Sequence, residues 1–356
     1  MILILVNTTS QLINAIVLAE TVLKNEKCDL YYTPEVKVGI DNLPDTNIFN
    51  NIYRIELVHD ICSRDSELKR AIVRIKNAMD FGKVKKSLPS DPLQYSRVFA
   101  SGISLRNFEF YYSIKYFNPT VQLSLFEEGS CEYYTLGLPK SKIRSLFSHF
   151  FFGHYYLEEC DSLYVFNPPF VQNIWEGISI ERIPNYSNNQ EILNVLNSIF
   201  GYEHEILNTC CEKVIILEQA FANEESEKRQ VELISHISEV AGKENVVLKL
   251  HPRSSADKYS GKYKAIKTSI PFELLMANEM AVDKIFISIS SSATLNLKLI
   301  FDIEPYIIIL NRLRRENAVL GEGDKLYSRI QSSCENQHFF IPDTLQEVDD
   351  ILKKIL

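Results

Sequence analysis

The chain has 356 residues, of which 46% are hydrophobic and 24% charged, and its formal net charge at neutral pH is -8. This composition is typical of a globular protein that is large enough for two domains. The balance of 38 Lys and Arg against 46 Asp and Glu disfavours a nucleic-acid partner, because neutralising phosphates requires a basic face.

The cysteines and the first residues predict a cytoplasmic protein. Seven cysteines, an odd number, show no Cys-X-X-Cys spacing and no zinc-like pairing with histidines, which favours a reducing compartment. The apolar residues 1–6 have no preceding basic residues and are too few for a signal-peptide core or a membrane span.

Short apolar runs alternate with amphipathic ones in the first half, which predicts strand-helix-strand units and a parallel sheet. The predicted strands of this half are residues 2–6, 29–32, 51–55, 98–101, 121–125 and 162–166. The predicted helices are residues 11–24, 63–81 and 105–116.

An aromatic segment with basic neighbours leaves two interpretations open. It contains three cations followed by four phenylalanines, namely Lys140, Lys142, Arg144, Phe147, Phe150, Phe151 and Phe152. A buried core helix is the commoner outcome for such a pattern. The alternative is peripheral contact with an anionic membrane, here the inner face of the cell membrane.

Periodicity weakens over residues 167–211, around Pro168, Pro169 and Pro184, which predicts an interdomain connection. A second alternating series follows, with strands at 213–217, 245–250, 284–288 and 306–310 and helices at 224–241, 272–278, 293–300 and 345–356. The sequence therefore predicts an α/β protein of two Rossmann-like domains, residues 1–166 and 212–356, whose parallel sheets face a central cleft.

The first candidate site residues lie where strand 245–250 runs into His251 and Pro252. Strand alternation places Lys249 and His251 on one side, and Pro252 ends the ladder so that the imidazole stays at the rim. Ligands of open sheets bind beyond the carboxyl ends of strands, so these groups are suited to a phosphate. A simple turn cap is the alternative, because His-Pro is a short motif.

The strand 284–288 likewise leads into Ser290, Ser291 and Ser292 at the start of a predicted helix. Serine hydroxyls and free amides at a helix start suit a phosphate, although an ordinary N-cap has the same pattern. Between the two strand exits, Glu273 begins a short helix. Its carboxylate could accept hydrogen bonds from a ribose or interact with the helix dipole.

The fifth predicted strand runs into Glu127 and Glu128, followed by Gly129. A carboxylate at a strand exit can serve as a general base on a sugar hydroxyl, and a glycine permits the tight turn behind it. A solvated loop is the alternative. Thr8 and Gln11 follow the first strand, where they would border the same crevice or cap the first helix.

Several nucleotide and metal motifs are absent from the sequence. It has no Gly-X-Gly-X-X-Gly, no Gly-X-X-X-X-Gly-Lys-Ser/Thr, no Asp-X-Asp and no His-Glu-X-X-His. The sequence therefore predicts neither a metal site nor a tightly bound cofactor.

Taken together, these motifs resemble those of the bacterial sialyltransferases of glycosyltransferase family 52, and more distantly the other bacterial sialyltransferase and polysialyltransferase families. The resemblance spans nearly the whole chain and rests on Thr8, Gln11, Asn14, Glu127-Glu128-Gly129, Lys249, His251-Pro252, Glu273 and the serines at 290–292.

The resemblance implies a GT-B fold and metal-independent, inverting transfer of sialic acid from CMP-sialic acid to a terminal galactose, in lipooligosaccharide or capsule synthesis. The implied roles are phosphate contact or protonation by His251, phosphate binding by Ser291 and Ser292, ribose binding by Glu273, and acceptor deprotonation by Glu127 or Glu128. Some relatives pair as dimers, so monomer and homodimer both remain open.

Three alternatives remain from the sequence. Some relatives take the base from an acidic residue in the loop before the His-Pro strand, where this chain has Glu218, Glu224 and Glu225. The donor could be CMP-Kdo or a UDP-sugar on the same scaffold. The chain could also be a non-catalytic nucleotide-binding subunit of polysaccharide assembly.

Overall fold

The structure, a computed structural model, describes residues 1–56, 67–101, 105–133, 142–171, 175, 177–221, 223–255, 257–314 and 322–356. The chain divides into two compact units, unit 1 with Met1–Gly201 and unit 2 with Tyr202–Leu356. Each unit contains a parallel sheet whose strands alternate with helices along the chain. The predicted organisation of two α/β domains is therefore confirmed.

The strands of unit 1 are β1 (Ile2–Val6), β2 (Cys28–Tyr32), β3 (Asn51–Arg54), β4 (Arg97–Ser101), β5 (Gln122–Phe126), β6 (Cys160–Val165) and β7 (Ser179–Arg182). Their order in the sheet is β3-β2-β1-β4-β5-β6-β7, and the pairings are parallel. All five residues of β1 are buried, which explains why this strand is a continuous apolar run. The strand order reverses between β1 and β4, and this is the topological switch point of the unit.

The helices of unit 1 are α1 (Thr9–Glu20), α2 (Glu67–Met79), α3 (Phe81–Lys86), α4 (Leu105–Phe117), α5 (Lys142–Phe152), α6 (Tyr156–Glu159) and α7 (Gln190–Phe200). The long helix predicted over residues 63–81 ends at Met79, and a separate helix starts after Asp80; residues 63–66 lie outside the described part of the chain. Asp80 leaves helical geometry and pairs with Lys83 at 2.7 Å. No described helix is long and apolar enough to cross a membrane.

The prediction that residues 162–166 form the last strand of the first sheet is wrong, because β7 pairs with β6 inside the predicted connection. Three of the four residues of β7 are exposed, so this edge strand lacks the apolar alternation on which strand prediction depends. Helix α7 also lies in the predicted connection. It begins at the N-cap Asn189 and ends at Gly201, whose positive φ of 69° suits a glycine.

Unit 2 repeats this plan with strands β8 (Val214–Leu217), β9 (Val246–Lys249), β10 (Lys264–Ile266), β11 (Ile285–Ser288), β12 (Tyr306–Ile309) and β13 (Phe339–Phe340). The sheet order is β10-β9-β8-β11-β12-β13, again parallel. The helices of the unit are α8 (Glu224–Ala241), α9 (Phe272–Glu279), α10 (Ser292–Leu299), α11 (Glu322–Ser333) and α12 (Leu345–Ile355). Strands β10 and β13 and helix α11 are not among the predicted elements, and both strands are short and lie at sheet edges.

Candidate functional site

Two consecutive residues after β8 connect the ends of the strands on either side of it. Glu218 accepts a hydrogen bond from the backbone N–H of His251 at 2.8 Å, and a second one from the Ser254 hydroxyl. Gln219 reaches the other side, where its side-chain oxygen accepts the Ser290 N–H at 2.8 Å. The switch point of unit 2 lies between β8 and β11, where ligands of such sheets bind. The structure therefore links His251 and Ser290 through Glu218 and Gln219.

Both connecting residues are themselves held in place. The ammonium of Lys258 lies 2.6 Å from the Glu218 carboxylate, and Glu218 is only 4% exposed. The side chain of Gln230, in α8, pairs with both backbone groups of Gln219, at 2.9 and 2.8 Å. Taking a proton would remove the negative charge that pairs with Lys258 and weaken the hydrogen bonds that this buried carboxylate accepts. Glu218 therefore acts as an anchor for the His251 segment, which argues against its use as a base.

His251 is held as a neutral imidazole. Its Nδ1 accepts a hydrogen bond from the Arg253 N–H at 3.1 Å, which requires that Nδ1 carry no proton. Burial lowers the pKa of the ring, and the positive charge of Arg253 lowers it further. The remaining proton lies on Nε2, so His251 can donate a hydrogen bond to a phosphate oxygen. Pro252, which follows, is exposed and has no N–H to donate.

Lys249 is a buried cation at the end of β9, with 6% of its surface exposed. Burial lowers the pKa of its ammonium, and the carboxylates of Glu273 and Glu218 oppose this change. Within the described ranges its ammonium has no hydrogen bond and no ion pair. A buried cation in this state favours a bound anion. Glu273 receives a hydrogen bond from the Asn296 amide at 3.0 Å on one carboxylate oxygen, which leaves the other oxygen for a further donor.

The three serines after β11 divide into two roles. Ser291 is the N-cap of α10, and its hydroxyl oxygen accepts the Ala293 N–H at 3.3 Å. The hydroxyls of Ser290 and Ser292 are partly exposed and have no hydrogen-bond partner in the part of the chain that the structure describes. The Ser291 oxygen is used as a helix cap, although its O–H remains a donor. Ser290 and Ser292 therefore add two unpaired hydroxyls to the predicted phosphate-binding pair Ser291 and Ser292, whose role remains a prediction.

In unit 1 the predicted residues Thr8 and Gln11 form a capping box at the start of α1. The Thr8 hydroxyl accepts the Gln11 N–H at 3.2 Å, and the Gln11 side-chain oxygen accepts the Thr8 N–H at the same distance. Asn14, one turn later, donates from its amide to the Glu127 carbonyl oxygen at 2.9 Å. This bond ties the first helix to the exit of β5, so the motif residues of the amino-terminal half are packed together.

Glu127 is fully buried, with none of its surface exposed. One oxygen of its carboxyl group accepts the Tyr133 hydroxyl and the Phe166 N–H, the latter at 2.9 Å. Burial raises the pKa of the carboxyl to about 8, although these two hydrogen bonds act in the opposite direction. Burial therefore favours the neutral form of Glu127 and keeps its carboxyl group out of reach of a large substrate.

Glu128 and Glu132 complete a cluster of carboxyl groups around this turn. Glu128 retains some exposure; burial raises its pKa, and the Gln11 side chain partly offsets the shift. Glu132 is 1% exposed, and burial together with the charges of Glu128 and Glu127 raises its pKa well above the ordinary value. Its carboxylate accepts the Gly129 N–H at 3.3 Å, so it also holds the turn that carries Glu128. Of the three, Glu128 is the carboxyl group best placed to meet a substrate.

The other two candidates for the base are less suited to this role, and the described residues form no metal site. Glu224 and Glu225 are exposed residues in the first turn of α8, where they favour the positive end of the helix. Among the described residues, no group of three or more His, Cys, Asp or Glu side chains is arranged to hold a metal ion. Metal independence nevertheless remains a prediction.

Three residues of the site were not predicted from the sequence, namely Gln219, Lys258 and Glu132. The first had a usable signal, because it lies two residues after a predicted strand, where ligand and linking residues are expected. Glu132 follows Glu128 by four residues, a spacing that brings side chains together in a helical turn. Lys258 had no comparable signal, because its contact with Glu218 depends on how the loop after His251 folds.

We expect Glu127→Gln to change how stability depends on pH. The folded-state pKa of Glu127 is about 8 and the ordinary value is 4.5, so the unfolded chain loses this proton at lower pH than the folded one. The contribution of the neutral carboxyl to stability is therefore complete below the ordinary value and is lost as the pH rises towards 8.

Glutamine stays neutral throughout, so the melting temperature of Glu127→Gln should rise relative to the wild type between pH 5 and pH 8. The exposed Glu191→Gln serves as the control, and thermal unfolding at several pH values is the measurement. A difference between Glu127→Gln and the wild type that stays constant over this range would contradict a raised pKa.

Comparison with known proteins assigns the chain to a family. A family model described as alpha-2,8-polysialyltransferase (POLYST) matches residues 2–309. A search of curated proteins finds no match. Neither result names glycosyltransferase family 52, so that assignment remains a prediction.

Solved structures with low sequence identity share the fold. An alpha/beta-galactoside alpha-2,3-sialyltransferase from Photobacterium phosphoreum is 12% identical, with 97% of this chain and 99% of that chain covered and a TM-score of 0.54. The GT-B domain of a sialyltransferase from Photobacterium damselae is 14% identical, with 96% of this chain and 100% of that chain covered and a TM-score of 0.53. A UDP-GlcNAc 2-epimerase from Neisseria meningitidis, bound to UDP-GlcNAc, is 12% identical, with 99% of each chain covered and a TM-score of 0.53.

At these identities the likeness concerns the fold, which is that of the GT-B glycosyltransferases. The family model, in contrast, covers most of the sequence. The chain therefore belongs to the alpha-2,8-polysialyltransferase family.

Proposed function

We propose that the protein is an inverting, metal-independent sialyltransferase that uses CMP-sialic acid as its donor. Membership of a sialyltransferase family supports the transferred sugar. The observation that carries the donor assignment is the set of anion-binding groups at the ends of β9 and β11. These groups are the buried ammonium of Lys249, the Nε2–H of His251 and the hydroxyls of Ser290 and Ser292.

The proposed reaction needs a stabilised leaving group and an activated hydroxyl. The acceptor hydroxyl attacks the anomeric carbon of sialic acid, while the bond from this carbon to the phosphate oxygen breaks and CMP leaves with the electron pair. Lys249 and His251 stabilise the charge that develops on the phosphate. Glu128 takes the proton of the attacking hydroxyl, because its raised pKa and partial exposure suit a general base. Glu273 binds the ribose through its second carboxylate oxygen.

Two acceptors are compatible with this chemistry. The sequence resemblance implies a terminal galactose, and the structure from Photobacterium phosphoreum is named as a galactoside sialyltransferase. The family description instead names alpha-2,8-polysialyl transfer, which favours a terminal sialic acid as the acceptor. The proposal also includes cytoplasmic synthesis of a surface glycan such as lipooligosaccharide or capsule.

Mass spectrometry of the products tests this function. The protein is incubated with CMP-sialic acid and either a galactoside or a sialylated galactoside. Addition of one sialic acid to the galactoside supports a terminal galactose as the acceptor. Addition of one or more sialic acids to the sialylated galactoside, with none on the galactoside, supports a terminal sialic acid. A protein that binds CMP but yields no product with either acceptor is a non-catalytic subunit, contrary to the proposal.

CMP should stabilise the folded protein and UDP should not. A ligand present at a hundred times its dissociation constant raises the free energy of unfolding by about 2.7 kcal/mol, which thermal unfolding detects easily. CMP, UDP and GDP are compared at equal concentration. Stabilisation by UDP without stabilisation by CMP would replace the donor with a UDP-sugar.

His251→Ala should lower the turnover number by on the order of 100-fold, as expected when a positioned hydrogen-bond or proton donor is lost at a leaving group. The measurement is the rate of CMP release with a saturating acceptor. His204→Ala is the matched control, because His204 is exposed on the same unit. Full turnover in His251→Ala would remove this residue from the reaction.

Glu128→Gln and Glu127→Gln should differ in activity. Loss of the partly exposed base lowers turnover by roughly 100-fold, whereas a glutamine at position 127 replaces a carboxyl that is already neutral and buried. Initial rates of both variants at pH 7 provide the comparison. Equal and full activity in both would direct attention to the exposed Glu224 and Glu225.

A further inference from the structure

Helix α2 presents an apolar stripe to solvent. Leu68, Ile72, Ile75 and Met79 follow one another at intervals of four, three and four residues, which places them along one side of the helix. Their exposed fractions are 73%, 46%, 45% and 72%. Amphipathic helices of globular proteins normally bury this face. An exposed apolar surface of this extent is typical of an interaction site.

Helix α5 contacts α2 and adds to this apolar surface. Leu146 and Phe150, one turn apart, are 70% and 82% exposed. Phe152, in contrast, packs inward, with its ring 5.1 Å from the Phe81 ring and stacked 4.6 Å from that of Tyr112. The aromatic segment therefore has one anchored side and one exposed side.

The surroundings of these apolar residues are basic. Residues 67–86, which form α2 and α3, contain seven Lys and Arg against two Asp and Glu, in a chain whose net charge is -8. Lys76, Lys86 and Lys142 are exposed. The ring contact between Phe81 and Phe152 places α3 beside α5. Of the other cations in the aromatic segment, Lys140 lies outside the described residues, as does the side chain of Arg144.

We infer that α2, α3 and α5 form a docking surface for an anionic lipid bilayer. Protruding Leu and Phe side chains enter the headgroup region of a membrane, and nearby lysines bind the phosphates of anionic lipids. The positive charge of residues 67–86 supplies the complementarity that selects a negatively charged surface. This inference rests on unit 1 alone and is independent of the proposed donor and acceptor.

Sedimentation with lipid vesicles tests the docking surface. The full chain is mixed with vesicles of phosphatidylcholine alone or of phosphatidylcholine with phosphatidylglycerol. We expect binding to the anionic vesicles that weakens as salt is added. Leu146→Ser combined with Phe150→Ser should reduce the partition coefficient by roughly tenfold or more. Lys76→Ser and Lys86→Ser should each reduce it by about fivefold.

Leu93→Ser and Val282→Ser are the matched controls, because these residues are 67% and 56% exposed but lie outside the three helices. Unchanged melting temperatures show that each variant is folded. The inference is overturned if the wild type does not bind anionic vesicles, or if the controls weaken binding as much as the helix variants. Light scattering that shows a dimer dissociated by Leu146→Ser with Phe150→Ser would also overturn it, in favour of self-association.

Discussion

The hydrogen bonds made by Glu218 and Gln219 are the constraint on which the candidate donor site depends. The two residues follow β8, and their side chains bond to the loops on opposite sides of it. Glu218 holds the His251 segment, and Gln219 holds the start of the Ser290 segment. Two loops whose residues His251 and Ser290 are 39 positions apart in sequence are thereby held at one edge of the sheet. Hydrogen bonds from a loop backbone to a side chain position the loop more firmly than packing alone, because each loop gains a directional bond to its partner.

In unit 1, hydrogen bonds and burial fix the turn that follows β5. Its motif residues surround the exit of β5, where three carboxyl groups lie within one turn and burial raises the pKa of each. Like charges that are buried together cannot all ionise, so the turn favours the neutral form of the two fully buried carboxyl groups, Glu127 and Glu132. The result is a division of roles in which Glu127 and Glu132 brace the turn and Glu128 stays accessible. Asn14 links this turn to the first helix.

Much of the fold could be predicted because it depends on local pattern. The buried strands are continuous apolar runs, and the predicted helix at 224–241 matches α8, Glu224–Ala241. In the structure Asn223 is the N-cap of this helix. Strands β7, β10 and β13 could not be predicted in this way. They are short and lie at sheet edges, where pairing with a neighbour rather than side-chain burial decides their structure.

The sequence by itself determined the fold class, the strand exits that carry the candidate residues and the family resemblance, because these depend on periodicity and on motifs that are contiguous in the chain. Only the tertiary structure decided the burial and the hydrogen-bond partners of each candidate residue. Glu218 accepts the N–H of His251, Ser291 caps α10, Glu127 is fully buried, and the stripe of α2 is exposed. Burial and hydrogen-bond partners set these roles, and both depend on residues that are distant in the sequence.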